Sequence, residues 1–272
     1  MPIPIGPVTT NLTFYKAPED GSQPFNYVEP TADQPQRNYS DAIHEVTITD
    51  LRDQTTPPTL DHDGFTLLNS IPTKTTYSTF DTDETVRSTY YPEVESLLLQ
   101  TLPEAHKVII FDHTIRRADP SAARHPVQLV HADQTRWSAA QRVRRHIPDP
   151  EEAEKLLQGR YRIINVWRPI NGKVESFPLA FASAATMRDE DFVKIEHRYP
   201  TFSGEIMGVR HNEGAGWRYC SGLDDHERVL IKCSDSKEGV AERVAHSAFV
   251  DPRSAADAKG RESIEVRTIV FG

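Results

Sequence analysis

"YRIINVWRPI", residues 161–170, opens the part of the chain whose reading decides the fold. After Gly159 the strand patterns follow one another without a helix between them. They are "YRIINVWRPI", "FPLAFASAAT" (177–186), "GEIMGVRH" (204–211), "WRYCSGLD" (217–224), "RVLIKCSDS" (228–236), "AHSAFVDP" (245–252) and "SIEVRTIVF" (263–271). "VQLVHADQ" (127–134) adds an eighth upstream. Short strands at short intervals, with no alternation of strand and helix, predict a jelly roll or barrel with helices packed on one side. The expected fold class is therefore mainly β with flanking helices.

Between the first two of these strands, "SAAQRVRRHI" (138–147) and "DPEEAEKLLQGR" (149–160) read as two short helices, the second capped by Asp149. The basic run of the first, Arg142 to His146, beside the acidic "DPEEAE", reads as a solvated, salt-bridged face and not as a nucleic-acid patch. Upstream, "HEVTITDLR" (44–52), "DGFTLLNSIP" (63–72) and "HKVIIFDHTIRR" (106–117) read as strands. Residues 81–103 read as a helix that Pro92 splits in two. Residues 1–42, rich in Pro, Thr, Asn and Gln, read as an extended arm with a short strand at "NLTFY". The expected organisation is one structural domain: an arm, strands and helix over 1–107 packed on a catalytic core over 108–272.

Composition narrows the function. A formal charge of −9 and a pI near 5.7 argue against nucleic acid or an anionic membrane as partner. No apolar run approaches the ~18 residues of a bilayer span. The N-terminus lacks the basic region of a secretion signal. Two cysteines, Cys220 and Cys233, give neither a disulfide framework nor zinc spacing and suit a reducing cytoplasm. A small molecule is the expected partner; a homodimer is one reading of the oligomeric state.

Chemistry enters at His131-Ala-Asp133. With 11 His and 40 acidic residues in 272 positions, roughly one or two such triplets arise by chance. A second, His211-Asn-Glu213, lies in Gly-rich turn chemistry and reads as a bystander or part of the pocket mouth. On a strand, His131 and Asp133 point to one face. A third ligand must come from a distant strand, and "AHSAFVDP" offers His246. Two His and one carboxylate form the facial triad of non-haem Fe(II) oxygenases, which leaves open positions for a co-substrate and O2. If that co-substrate is 2-oxoglutarate, its distal carboxylate needs a cation, and Arg binds carboxylate through two parallel hydrogen bonds. Arg261, with Ser263 at Arg-x-Ser spacing, and Arg267 are the candidates. In "IINVWRP", Asn165 and Trp167 share one face and Arg168 takes the other; Asn165 or Arg168 is a candidate contact to co-substrate or substrate.

These blocks resemble the fungal Fe(II)/2-oxoglutarate-dependent oxygenase family of gibberellin desaturase, AsaB-type hydroxylase/desaturases and the cephem methoxylase (CmcJ-like). The resemblance runs from about Val108 to Phe271 through "VHADQ", "IINVWRP", "PLAFASA", "WRYCSGLDDHERVLIKCSDS", "AHSAFVDP" and "RESIEVRTIVF". It implies a double-stranded β-helix (jelly-roll, cupin-like) core. It also implies Fe(II) held by the His-x-Asp pair and the distal His, 2-oxoglutarate as co-substrate, and a small secondary metabolite as substrate. The outcome would be hydroxylation, desaturation or oxidative ring formation, with succinate and CO2 released. The chain departs from the family at Trp217-Arg218-Tyr219 and at Cys233-Ser234, positions expected near the pocket, so substrate identity does not transfer. The rival readings are a metal-free small-molecule binding protein and a metal-dependent isomerase or hydrolase on the same barrel. On the oxygenase reading, Asp133→Ala abolishes turnover with little effect on folding; turnover at the wild-type rate in that variant rejects the triad.

Overall fold

A computed structural model describes residues 3–29, 33–118 and 125–272. Two sheets carry the chain. The larger has the strand order β1-β3-β11-β8-β13-β6-β10-β9-β2 and the smaller β4-β12-β7-β14-β5. In chain order the strands are β1 (Val8–Lys16), β2 (Phe25–Tyr27), β3 (Ser40–Asp50), β4 (Phe65–Leu68), β5 (Lys107–Arg116), β6 (His131–Ala132), β7 (Tyr161–Pro169), β8 (Leu179–Ala182), β9 (Phe192–Arg198), β10 (Ser203–Val209), β11 (Trp217–Tyr219), β12 (Arg228–Asp235), β13 (Ala245–Ala248) and β14 (Ser263–Phe271). Neighbours far apart in sequence, such as β13 between β8 and β6, are the mark of a jelly roll. No helix among the described residues is long and apolar enough to cross a membrane.

The smaller sheet is buried on both faces, which explains why "YRIINVWRP" carries apolar residues at both parities: every residue of β7 is buried, Arg162, Asn165 and Arg168 included. Its inner face sends Ile163 and Trp167, with Ile231, Ile269 and Phe271, into a core shared with Phe181 of the larger sheet. Its outer face sends Ile164, Val166, Leu230 and Val266 against helical residues Val94 and Leu98. Full burial of one such leucine is worth about 1.5–3 kcal/mol. The cover is the helical segment α1 (Asp83–Thr85), one π turn (Val86–Tyr90) and α2 (Tyr91–Thr101). Pro92 stands at the start of α2, where it has no N–H to donate. Tyr91 N–H reaches back five residues to the Val86 carbonyl, so the expected split takes the form of a widened turn.

Residues before 107 are woven into both sheets. β1 and β3 pair along their lengths and β3 lies parallel to β11, while β4 pairs β12 and β5 pairs β14. Two elements differ from expectation. "VQLVHADQ" forms only the two-residue β6, because Thr135 turns the chain to cap α3 (Arg136–His146), accepting from Ser138 N–H. β9 was not expected; Lys194, Glu196 and Arg198 interrupt its apolar pattern, and it lies between β10 and the short β2. α4 (Pro150–Leu157) is capped by Asp149, as read.

One irregularity in β12 has a structural use. Its register against β7 shifts between Lys232 and Ser234. Residues three apart on a regular strand face opposite ways; the bulge lets Lys232 and Asp235 share a face. Lys232 Nζ then lies 2.6 Å from Asp235 Oδ2, with both side chains fully buried. Arg160 and Asp61 complete the network, Arg160 at 2.6 Å from each carboxylate. Burial alone would raise Asp235, but the Arg160 and Lys232 cations hold it below the usual carboxylate range.

Asp235→Ala would leave the Lys232 ammonium buried with only half-exposed Asp61, at a cost of about 3–5 kcal/mol. Urea denaturation checks this, and the double variant Asp235→Leu/Lys232→Met should recover much of the loss; a single-variant loss below about 1 kcal/mol counts against it. Because the folded pKa is depressed, the stabilisation is complete above pH ~4 and fades as the pH falls through the folded value.

Candidate metal centre

β6 and β13 pair with His246 directly opposite His131. Their rings lie 4.5 Å apart between centroids, inclined at 50°. Asp133 follows β6 before the Thr135 cap, so its side chain returns to the face of His131. One ligand atom from each of His131, Asp133 and His246 can be chosen so that all lie within 4.8 Å of one another.

The surroundings fix which atoms face inward. His131 Nδ1 lies 2.8 Å from the Leu129 carbonyl and His246 Nδ1 3.3 Å from the Val244 carbonyl. A carbonyl only accepts, so each ring donates from Nδ1 and turns Nε2 inward, where His131 Nε2 donates to Asp133 when protonated and is free to ligate a metal when it is not. Asp133 Oδ2 accepts from Asn165 Nδ2 at 2.6 Å and from the Cys233 thiol at 3.4 Å. Asp133 Oδ1 faces His131 Nε2 at 3.3 Å. Burial would raise Asp133, but the His131 hydrogen bond and the charges of His246, His131 and Arg267 hold it well below the usual range. Burial, and then the His131 charge, push His246 down to about 4. Burial pushes the Cys233 thiol well above its ordinary value, so it is a weak donor and not a thiolate. An ionised carboxylate and two imidazoles with oriented lone pairs suit Fe(II).

The expected arginines have different surroundings. Arg267 is committed to two carboxylates, Asp112 at 2.6 Å and Glu265 at 3.0 Å. Arg261 makes one hydrogen bond, to the Phe177 carbonyl at 2.6 Å. Its guanidinium lies 5.4 Å from the Trp167 ring centre, and its buried Nε has no partner. Burial and the neighbouring Arg116 charge push it well down, as befits a cation with no counter-ion in contact. Trp167 is two residues along β7 from Asn165, about 6.6 Å. A five-carbon dicarboxylate could lie over it between the candidate ligands and Arg261.

Ser263 lies on the inner face of β14 beside Glu265 and Arg267, opposite Pro169 and Arg116. Arg168 is not brought to the site. Alternation sends it to the outer face, where it sits over Phe80 and Tyr90 and donates to Thr75 Oγ1 at 2.9 Å. His211 stacks on His44 at 3.9 Å, away from the triad. Of the two departures expected near the pocket, Cys233 touches Asp133, whereas Trp217 and Tyr219 belong to a separate core with β1 and β3. Arg116 and Glu265 were not singled out from the sequence. A buried charge opposite a candidate site residue, read from strand pairing, would have been the signal.

The expectation of a solvated face for Arg142 to His146 needs correction. Arg144 meets it, 2.6 Å from Glu154. Arg142 instead lines a cavity of about 290 Å3 that begins at Asp133.

The chain matches, over residues 12–271, the family model described as an oxidoreductase/YMDC permease-like domain. The hydroxylase/desaturase poxK of Penicillium oxalicum is 33% identical, aligning over 99% of this chain and 93% of its own length. The Fe(II)/2-oxoglutarate-dependent dioxygenase nvfI of Aspergillus novofumigatus is 30% identical over 90% of this chain and 89% of its own. Among solved structures, a variant of the iron and alpha-ketoglutarate-dependent endoperoxidase NvfI superposes with a TM-score of 0.91 at 27% identity, covering 100% of this chain and 99% of that one.

Asn165→Ala removes the stronger of the two donors to Asp133 Oδ2. Anaerobic metal titration should show Fe(II) affinity falling about 10–100-fold, the usual effect of losing a partner of a metal-binding carboxylate. Unchanged affinity in the folded variant would separate Asn165 from the centre.

Proposed function

The chain belongs to the fungal Fe(II)/2-oxoglutarate-dependent oxygenases, and we propose that His131, Asp133 and His246 hold its iron while Arg261 anchors the co-substrate. The observation that carries this reading is the pairing of a three-ligand cluster with a buried guanidinium that, among the described residues, has no carboxylate in contact. When bound, iron with 2-oxoglutarate and O2 supplies the oxidising power to remove hydrogen from an unactivated C–H bond, with succinate and CO2 released. The substrate is a small secondary metabolite, and the outcome is hydroxylation, desaturation or oxidative ring formation.

The protein's part is position and exclusion. The Leu129 and Val244 carbonyls hold the two imidazoles with Nε2 inward. Asn165 and Cys233 occupy Asp133 Oδ2 and leave Oδ1 toward the histidines. Arg261 gives the distal carboxylate a charge-assisted partner, with Ser263 close by in sequence as a second donor. Phe181, 6.3 Å from the His246 ring and stacked on Phe65, closes the apolar side against water. A simple binding protein gains nothing from three converging ligands, and an isomerase or hydrolase has no use for a buried Arg261 beside them. Two unpaired, buried cysteines support a cytoplasmic location.

Anaerobic absorption with Fe(II), before and after 2-oxoglutarate, tests the centre. A weak visible band should require both and vanish in His246→Ala. In Arg261→Leu the 2-oxoglutarate midpoint should rise about ten- to a hundredfold, the worth of one charge-assisted pair. No band with either partner, or an unmoved midpoint, overturns the corresponding assignment.

A further inference from the structure

The cavity that starts at Asp133 runs along one face of α3. Gln134, Trp137, Ser138, Gln141, Arg142 and Arg145 form one wall, at helical spacing. The opposite wall comes from the β9–β10 hairpin, where Tyr199 stacks on Phe202 at 4.2 Å and 11°.

α3 carries four arginines, and they divide by face. Arg136 and Arg144, off the cavity, pair with Glu242 at 2.9 Å and Glu154 at 2.6 Å. Arg142 and Arg145, on the cavity, meet no carboxylate at ion-pair distance among the described residues. Arg142 lies over Phe111 and Arg145 over Phe202, at 5.1 and 5.5 Å from the ring centres. Asp112 attracts Arg142 from further off but is bonded to Arg267. Burial, with the Arg145 and Arg267 charges, lowers Arg142. Cations in the last helical turn ordinarily answer the helix dipole; that role does not require half-burial in a cavity, or two guanidinium groups together without an anion.

The carboxylates in the cavity lie elsewhere. Asp133 is engaged with His131, and Glu205 with Lys194 at 2.8 Å and Thr135 at 2.5 Å. The cavity wall therefore joins one candidate metal ligand, Asp133, a stacked aromatic pair and two cations that meet no carboxylate at ion-pair distance among the described residues. Arg142 is seven residues beyond the Thr135 cap, about 10 Å along the helix axis.

Resting on the reading of Asp133 as an iron ligand, we propose that this cavity is the substrate site and that it selects a flat, apolar, polycyclic molecule bearing an anionic oxygen group. Arg142 and Arg145 hold that group while another part of the molecule is presented beside Asp133. The two arginines are specificity-determining residues that fix which end of the substrate faces Asp133.

A matched pair of fluorescent probes tests this: 2-anthracenecarboxylate and the neutral 2-anthracenecarboxamide. Each is titrated by fluorescence polarisation into the anaerobic Fe(II) enzyme, with excess 2-oxoglutarate keeping the probe's carboxylate away from Arg261. Wild type should prefer the carboxylate by about tenfold or more, and Arg142→Gln/Arg145→Gln should bring the ratio to within about twofold. Arg144→Gln, off the cavity, should keep it. A smaller wild-type preference, binding of neither probe, or a preference that survives the double variant overturns the inference. The iron absorption band is read in the same samples. A band without carboxylate preference removes this inference alone; no band removes the iron reading, and the probe ratio still decides the cavity.

Discussion

The hydrogen bond from Asn165 to Asp133 joins the two sheets at the centre of the molecule. Asn165 belongs to β7 of the smaller sheet, and Asp133 follows β6 of the larger. Asn165 is fully buried beside a core of Phe, Ile and Trp side chains, and Asp133, one-fifth exposed, stands where that core meets the cavity. A carboxylate there survives only if each oxygen is answered. One oxygen is answered by the smaller sheet, through Asn165 and Cys233, and the other by His131. The spacing of the sandwich thus sets the position of the cluster, and the apolar core becomes the frame that holds a polar centre still.

Charge is distributed along β14 in a way that serves this frame. Its outer face is Ile264, Val266 and Val270, packed under the helices. Its inner face carries Ser263, Glu265 and Arg267, with Arg261 just ahead. Glu265 is raised by burial and by Asp133, with Arg267 and Arg116 acting against that rise. Arg267 neutralises carboxylates that would otherwise stand uncompensated near the cluster. Arg261 has no such task, and this contrast separates two arginines that look alike in sequence.

Much of this was legible in the residues because the signals are local. Strand β7 is legible from its Ile, Val, Trp and Tyr residues, and alternation within it puts Asn165 and Arg168 on opposite faces. His131 and Asp133 were legible as a pair by spacing and His246 by its strand. Pairing across the sandwich was not legible. Nothing in "RVRRH" tells which arginine meets Glu154 and which turns toward Asp133, since the rotation of α3 follows from packing and not from its own composition. The charges of β9 obscure its period, and the sequence puts Cys233 near the pocket without naming its partner, which lies 100 residues away.

The bulge in β12 joins two duties in one residue. Inward, the Cys233 side chain reaches Asp133; outward, its extra backbone unit brings Lys232 and Asp235 to a common face. The two duties answer to different changes. Exchanging the side chain alters the crowding and polarity beside Asp133 and leaves the outer ion network in place. Removing the residue would straighten the strand: Lys232 and Asp235, then two apart, would still share a face, but the thiol beside Asp133 would be gone. The bulge is thus an addition to the inner face that leaves the alternation of the outer face undisturbed, a place where a strand can carry an extra group into the centre without rearranging the charges behind it.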